Sequence, residues 1–362
     1  MPERLTLKSA TVRSVSVPLR RPVVSKVGLF QEWPLILIDL YTNEGVVGRG
    51  YLEPYLKQSP RYIIPVIDDL VASQIGKRLA PLDSFQASRR SLNLVGYEGI
   101  TMIAVAGIDM AIWDALAKAA GMPLAVMLGG SLGGVPAYNS NGLWLTDVST
   151  LAKEAKELVA EGQFKGLKLR RPGPAGRRCC CAPRSSRGCG RRNQVDGGFQ
   201  PRSIARRCAG ALPRARQRGA LLVRGANRLQ QLVGLRQLAR ELQTPLQIGE
   251  NFYGPRAIHD ALAAGACDYV MPDLMRIGGV SGWLRAAPVA AAARIQVSTH
   301  LYPEVAAHLM RVTETAHWLE WQDWADPILK EPFTVKDSCL EIPYRPGIGI
   351  EWDEAAVARY RY

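Results

Sequence analysis

The chain has 362 residues, 47% of them hydrophobic, enough for two domains or for one barrel with a companion. It opens MPERLTLKSATVRSV, without an apolar run of signal-peptide length, and no later stretch reads as a membrane span, so a cytoplasmic protein with no membrane partner is expected. A net charge of +14 suggests nucleic acid, yet sixteen arginines, no lysine and one acid (Asp196) fall between Arg170 and Arg228, leaving 30 basic and 31 acidic residues elsewhere.

In chain order, SATVRSVSVPL alternates, PLILIDLYT reads as a buried strand, and NEG is a hairpin turn before VVGRGYL. From about Pro60 to Ala120 the pattern is helical. Its clearest piece is TMIAVAGIDMAIWDALAKAAG, with Lys118 near its end and Gly121 and Pro123 as stop signals. Asp109 and Asp114 on this helix read as solvated or capping residues rather than ligands. Strands followed by a block of helices mark an α+β domain over residues 1–134.

From about Pro136 the rhythm changes to short apolar runs that end in a polar residue and lead into a helical stretch. VPAYNSN and FKGLKLR come first, the latter ending near Lys168 and Arg170. TPLQIGEN (Glu250), DYVMPD (Asp273), IQVSTH (His300) and AHWLEW (Glu320) follow at intervals of 23, 27 and 20 residues, the length of one strand plus one helix. Units of this size close into a β/α barrel with reactive groups at the strand C-termini, here over residues 135–330. The 82 residues from Lys168 to Glu250 leave room for two more strands, eight in all, but neither is visible as written.

The arginine-rich stretch between them is foreign in composition, and it also holds Cys179, Cys180, Cys181, Cys189 and Cys208 of the seven cysteines. A nucleic-acid arm would carry interleaved aromatics, and only Phe199 is present. Three adjacent cysteines followed by wide gaps do not match paired zinc-ligand spacings. The remaining reading is a segment, about 170–232, translated out of frame.

The motifs KGLKLR, IGENFYGP, YVMPDLMRIGGVSGW, STHLYPEVAAHL and HWLEW, with GIDMAIWDAL in the first domain, resemble mandelate racemase and its relatives, the mandelate racemase/muconate lactonizing enzyme family of the enolase superfamily. The resemblance covers about residues 8–170 and 232–355. It implies an α/β fold in which an α+β capping domain sits over a modified (β/α)7β TIM-type barrel, with the tail, 331–362, returning to the cap. It implies removal of the proton beside a carboxylate, with Mg²⁺ (or Mn²⁺) held by three carboxylates as Lewis acid for the enolate-type intermediate. It further implies that Glu250 is the third metal ligand, His300 a general base oriented by Asp273, and Glu320 a protonated acid facing the oxyanion. Lys168 matches the first lysine of a Lys-x-Lys pair and would neutralise the substrate carboxylate. The second lysine, the opposite-face base of a racemase, is Arg170 here, a poor base because guanidinium stays protonated. Either only the His300 face works, or the altered frame begins close enough to have changed Arg170.

The family's other two metal ligands belong on the missing strands. Leu222 to Ala226 can be encoded CTG GTT CGA GGA GCC, which one base later reads Trp-Phe-Glu-Glu-Pro. The same offset across Gly197 to Pro201 permits Val-Asp-Phe-Asn. The recovered Asp falls at Gly198 and the first Glu at Arg224, each 26 residues before the next ligand position, up to Glu250.

By the same resemblance the cap loops choose the substrate, a small-molecule carboxylate. Val23, Val27, Phe30 and Tyr55, with Leu301 beyond His300, are mostly apolar and favour an aromatic or apolar 2-hydroxy acid such as mandelate. Lys26 and Arg49 lie near those loops and suit the far end of an acid sugar, which makes an acid-sugar dehydratase the alternative. A homo-oligomer is expected. A basic protein that binds nucleic acid through 170–230 is the rival outside the enzymes, and salt-dependent binding would reveal it.

Overall fold

The computed structural model describes residues 5–25, 28–145, 147–170, 223–224 and 232–362. The first region is a three-stranded antiparallel sheet in the order β1 (Leu7–Val24), β2 (Leu29–Thr42), β3 (Val47–Leu52). In β2 every residue from Trp33 to Leu40 is buried, as befits a strand covered on both faces. The helix Ile100–Ala119 lies directly on β3, and the glycines of VVGRGYL make that approach possible. A Cβ on Gly48 would come within 2.1 Å of the Ala111 carbonyl oxygen, and one on Gly50 within 3.0 Å of that of Gly107.

This helix corrects one expectation and divides another. By length and composition it is apolar enough to cross a membrane, contrary to the reading of the sequence, but it is packed inside the protein. Its two acids are not solvated: Asp109 and Asp114 are 2% and 0% exposed. Asp109 accepts the Ser281 N–H at 2.8 Å, capping the helix Gly279–Ala292, and Asp114 accepts the N–H groups of Arg49 and Ile348, both at 2.7 Å. Burial pushes the Asp109 carboxyl up to about 7, against the pull of its bonds to Ser281.

The second region alternates strand and helix. β5 (Val223–Arg224), β6 (Leu246–Ile248), β7 (Tyr269–Val270) and β8 (Gln296–Val297) pair in parallel in that order. β4 (Gly134–Asn139) pairs in parallel with β9 (Leu319–Trp321). Single parallel bridges join Val297 to Ala316 and Asn139 to Leu167, so the ring runs from Leu167 through β4, β9, β8, β7 and β6 to β5. The remaining arc falls outside the described residues. The helices Leu232–Glu241, Gly254–Ala263 and Gly279–Ala292 connect these strands, as right-handed parallel crossovers require. The architecture is a capping domain and a TIM-type barrel.

After the barrel, β10 (Val335–Lys336) and β11 (Cys339–Glu341) form a hairpin whose second strand runs antiparallel to β4. The chain then crosses the first region. Leu124 N–H donates to the Gly347 carbonyl at 2.7 Å, and Trp352 Nε1 donates to the buried Asp39 at 2.7 Å. Asp39 also faces the guanidinium groups of Arg13 at 2.5 Å and Arg49 at 3.2 Å, and these reach on to Glu354 and Glu351 of the tail.

Candidate active site

Four polar residues stand at or just past the C-terminal ends of consecutive parallel strands: Glu250 after β6, Asp273 after β7, His300 after β8, and Glu320 within β9. Lys168 follows the Leu167 bridge, its N–H bound to the Asn139 carbonyl at 3.1 Å. Parallel pairing puts these ends on one face, so residues up to 152 apart in sequence meet.

His300 Nδ1 lies 2.6 Å from Asp273 Oδ2, and its Nε2 faces Glu250 Oε2 at 3.7 Å and Glu320 Oε2 at 3.8 Å. Asp273 is fully buried; its Oδ1 accepts the Met275 N–H at 2.9 Å and its Oδ2 receives the Tyr55 hydroxyl at 3.4 Å. With Nδ1 against a carboxylate, Nε2 is the atom presented for proton transfer. Leu301 and Tyr302 follow with φ of 57° and 56°, two consecutive left-handed residues without glycine. Such a turn costs on the order of 1–3 kcal/mol per residue, and here it sets the exit of the chain from His300. It points the Leu301 N–H at Glu320 Oε2, 3.3 Å away.

Glu320 is 0% exposed, and its Oε1 lies 2.6 Å from Lys168 Nζ and 2.8 Å from Ser140 Oγ. The sequence reading expects a protonated acid here. In the structure Lys168 Nζ is the partner of that Oε1, beside the Ser140 hydroxyl. Glu320 thus stands between His300 and Lys168.

The other expected residues divide. Tyr55 and Leu301 touch Asp273 and Glu320 as described. Val23 is buried and pairs in register with Phe30, whose ring packs edge-on to Trp33 at 6.1 Å. Val27 and Lys26 lie outside the described residues. Arg49 is not at this face: its bonds to Asp39 and Glu351 hold it under the tail. Arg170 places its guanidinium carbon 4.6 Å from the Trp144 ring centre, a cation–π contact.

Sequence reasoning missed several groups. An aromatic row runs from Tyr55 to Trp33 (5.8 Å), Trp324 (4.3 Å) and Trp144 (6.1 Å), joining cap and barrel. Glu53, 3% exposed, accepts the Trp33 indole N–H at 2.7 Å, and its backbone N–H donates to the Tyr302 hydroxyl oxygen at 2.8 Å. Burial pushes the Glu53 carboxyl well up, and the charges of Asp273 and Glu304 add to this. Glu304, 0% exposed, bonds the Tyr51 hydroxyl at 2.5 Å, and burial pushes it up to about 7. Burial, then the charges of Glu304 and Asp323, push Asp326 up to about 8. A lone acid inside the apolar run GYLEPYL was the one available sign of Glu53.

The described residues alone do not assemble a divalent-cation site. Among the described residues no three His, Cys, Asp or Glu side chains converge to hold one. Glu250 has oxygen chemistry suited to Mg²⁺, but β5, the neighbouring strand, ends in Arg224, and a cationic residue type cannot be a ligand. Gly198 lies outside the described residues.

Comparison with known proteins matches residues 8–129 to the mandelate racemase / muconate lactonizing enzyme N-terminal domain and residues 226–356 to the enolase C-terminal domain-like family. An enolase from alpha proteobacterium bal199, crystallised with bound Mg, is 47% identical with a TM-score of 0.86, over 99% of this chain and 100% of that one. An enolase from Bradyrhizobium in complex with magnesium and mandelic acid is 33% identical with a TM-score of 0.87 over 100% of both chains. L-talarate/galactarate dehydratase of Salmonella typhimurium is 30% identical over 267 residues, 72% of this chain and 66% of the dehydratase, so the match spans about two thirds of that enzyme.

Proposed function

Because the chain belongs to the mandelate racemase/muconate lactonizing enzyme family of the enolase superfamily, we propose that its site abstracts the α-proton of a 2-hydroxy carboxylate, with His300 as the base. The observation that carries this is the contact of His300 Nδ1 with the buried Asp273, which leaves Nε2 facing Glu250 and Glu320. Lys168 neutralises the incoming carboxylate, leaving Glu320 for it, and Glu320, taking up a proton as it loses that cation, hydrogen-bonds the developing oxyanion.

Arg170, its guanidinium carbon 4.6 Å from the Trp144 ring centre, stays protonated and is a poor base, so His300 is the one base assigned among the described residues. His300 as a single base can take the α-proton and, as imidazolium, return it to the β-hydroxyl, which leaves as water to give an enol that tautomerises to the 2-keto acid, so dehydration of an acid sugar is the favoured outcome. Relatives named as dehydratases support this class. A second reading, racemisation of an aromatic 2-hydroxy acid, draws on the aromatic row Tyr55–Trp33–Trp324 and on the mandelic acid bound by the Bradyrhizobium relative. Proton NMR in D₂O separates them. Dehydration yields a 2-keto acid, racemisation exchanges the α-proton with the substrate retained, and no reaction with either class by the chain with its frame restored would overturn the proposal.

No step is assigned to a metal in the chain as written, because two of three carboxylates are lacking. We propose that residues from about 171 to 231 are an out-of-frame translation and that the natural chain carries Asp at 198 and Glu at 224. The pairing of Val223 and Arg224 with Leu246 and Gln247 supports this, since it gives position 224 a strand end beside that of Glu250. Neither family match covers residues 130–225. A chain with the frame restored would take Mg²⁺ (or Mn²⁺), as the relatives do.

A further inference from the structure

We propose that Arg276 is a positioning residue that fixes the Glu250 turn, the Asp273–His300 pair and the cap in register with one another. The proposal rests on the reading of Glu250, Asp273 and His300 as working groups. Asp273 and Arg276 belong to one short helical turn, Leu274–Ile277, which Asp273 itself caps through the Met275 N–H at 2.9 Å. From that turn Arg276 Nη1 donates to the Glu250 carbonyl oxygen at 2.6 Å and to the Asn251 side-chain oxygen. The guanidinium carbon lies 5.1 Å from the centre of the Tyr55 ring, and the Tyr55 hydroxyl reaches Asp273 Oδ2 at 3.4 Å.

Glu250 needs such a tether. It is not in β6 but in the turn that follows, closed by Phe252 N–H on the Gly249 carbonyl at 3.0 Å. Gly249 has φ of 133°, and a Cβ there would come within 2.8 Å of the Met271 nitrogen, so the chain leaves β6 tight against β7 and the carboxylate stands on a bent segment. Arg276 holds that segment from the side on which the His300 partner sits. Among the described residues it makes no ion pair; its contacts include the Glu250 carbonyl, the Asn251 amide oxygen and the Tyr55 ring face, and it also faces the Tyr253 hydroxyl. Only a planar, multi-donor cation serves these contacts together; lysine can donate to the oxygens but has no flat face for Tyr55.

The test is hydrogen–deuterium exchange of the full chain, comparing the wild type with R276Q, R276K and N251A. Peptides covering 249–253 should exchange about tenfold faster in R276Q, with an intermediate effect in R276K and a smaller one in N251A, while the helix Ile100–Ala119 is unchanged. If R276Q does not fold, N251A reads the same contact from its other side. In a chain that exchanges a substrate α-proton, R276Q should lower kcat about 100-fold with KM altered less than about threefold, the signature of misplaced rather than missing groups. Unchanged exchange at 249–253 in both R276Q and N251A would overturn the proposal, as would equal acceleration in Ile100–Ala119. A wild type that turns over no carboxylate counts against the proposed function, while the exchange comparison still decides the role of Arg276.

Discussion

Lys168 Nζ and Glu320 Oε1, 152 residues apart, lie 2.6 Å from each other at the barrel mouth, with Glu320 wholly buried and Lys168 at 15% exposure. Removing one partner strands the other charge. K168M should destabilise the protein by about 3 kcal/mol in urea unfolding, and the double variant K168M/E320Q should recover most of that loss. Equal stability of K168M and wild type would show that the pair is not coupled.

The imidazole of His300 depends on Asp273 for its orientation. D273N should reduce turnover of a carbon acid by about 10²–10⁴-fold, and H300N should abolish α-proton exchange in D₂O. Exchange retained in H300N would remove His300 from the base role.

Glu304 and Asp326 are carboxyls raised to about 7 and about 8 by burial. Their ordinary values lie near 4, so between pH 4 and 8 the unfolded chain releases protons that the folded chain keeps. Stability contributed by the protonated groups is therefore present at low pH and falls as pH rises through that window, by on the order of 3 kcal/mol for Glu304 alone. Melting temperature should fall from pH 5 to pH 9, and E304Q should flatten the slope. An unchanged slope in E304Q would mean that Glu304 ionises as freely in the folded chain.

Resequencing the coding DNA across residues 165–240 should show a small insertion or deletion at each end of the arginine-rich segment. A clean read reproducing Arg177 to Arg218 in frame would end the frame-shift reading.

Calorimetry with Mg²⁺ should detect little binding by the chain as written. With Asp at 198 and Glu at 224 restored, the cation should bind and raise stability by about 2.7 kcal/mol at a hundredfold excess over Kd. Tight binding by the chain as written would contradict the reading of the site.

The strand-end series was legible because each short parallel strand leaves an apolar run, a polar residue and a helix in local sequence. Glu250, Asp273, His300 and Glu320 follow from that rhythm, and their roles from the motifs around them. The contact of Glu320 with Lys168 did not follow, because the two belong to segments far apart in sequence. Glu53–Trp33, Tyr51–Glu304 and Arg276–Tyr55 were hidden for the same reason: each joins residues from different elements, and the last two join cap to barrel. The membrane-length helix Ile100–Ala119 shows the converse limit, since apolarity alone does not say whether lipid or protein covers it.

The tail that crosses the cap has a mechanical consequence. Trp352 on Asp39, Glu351 on Arg49 and Ile348 on Asp114 bind the last segment of the chain to the first, so the cap is anchored at both its sequence ends. Swinging the two domains apart as rigid bodies would tear those buried bonds. The tail therefore works as a strap across the cap, which behaves as a fixed roof over the barrel rather than as a hinged lid.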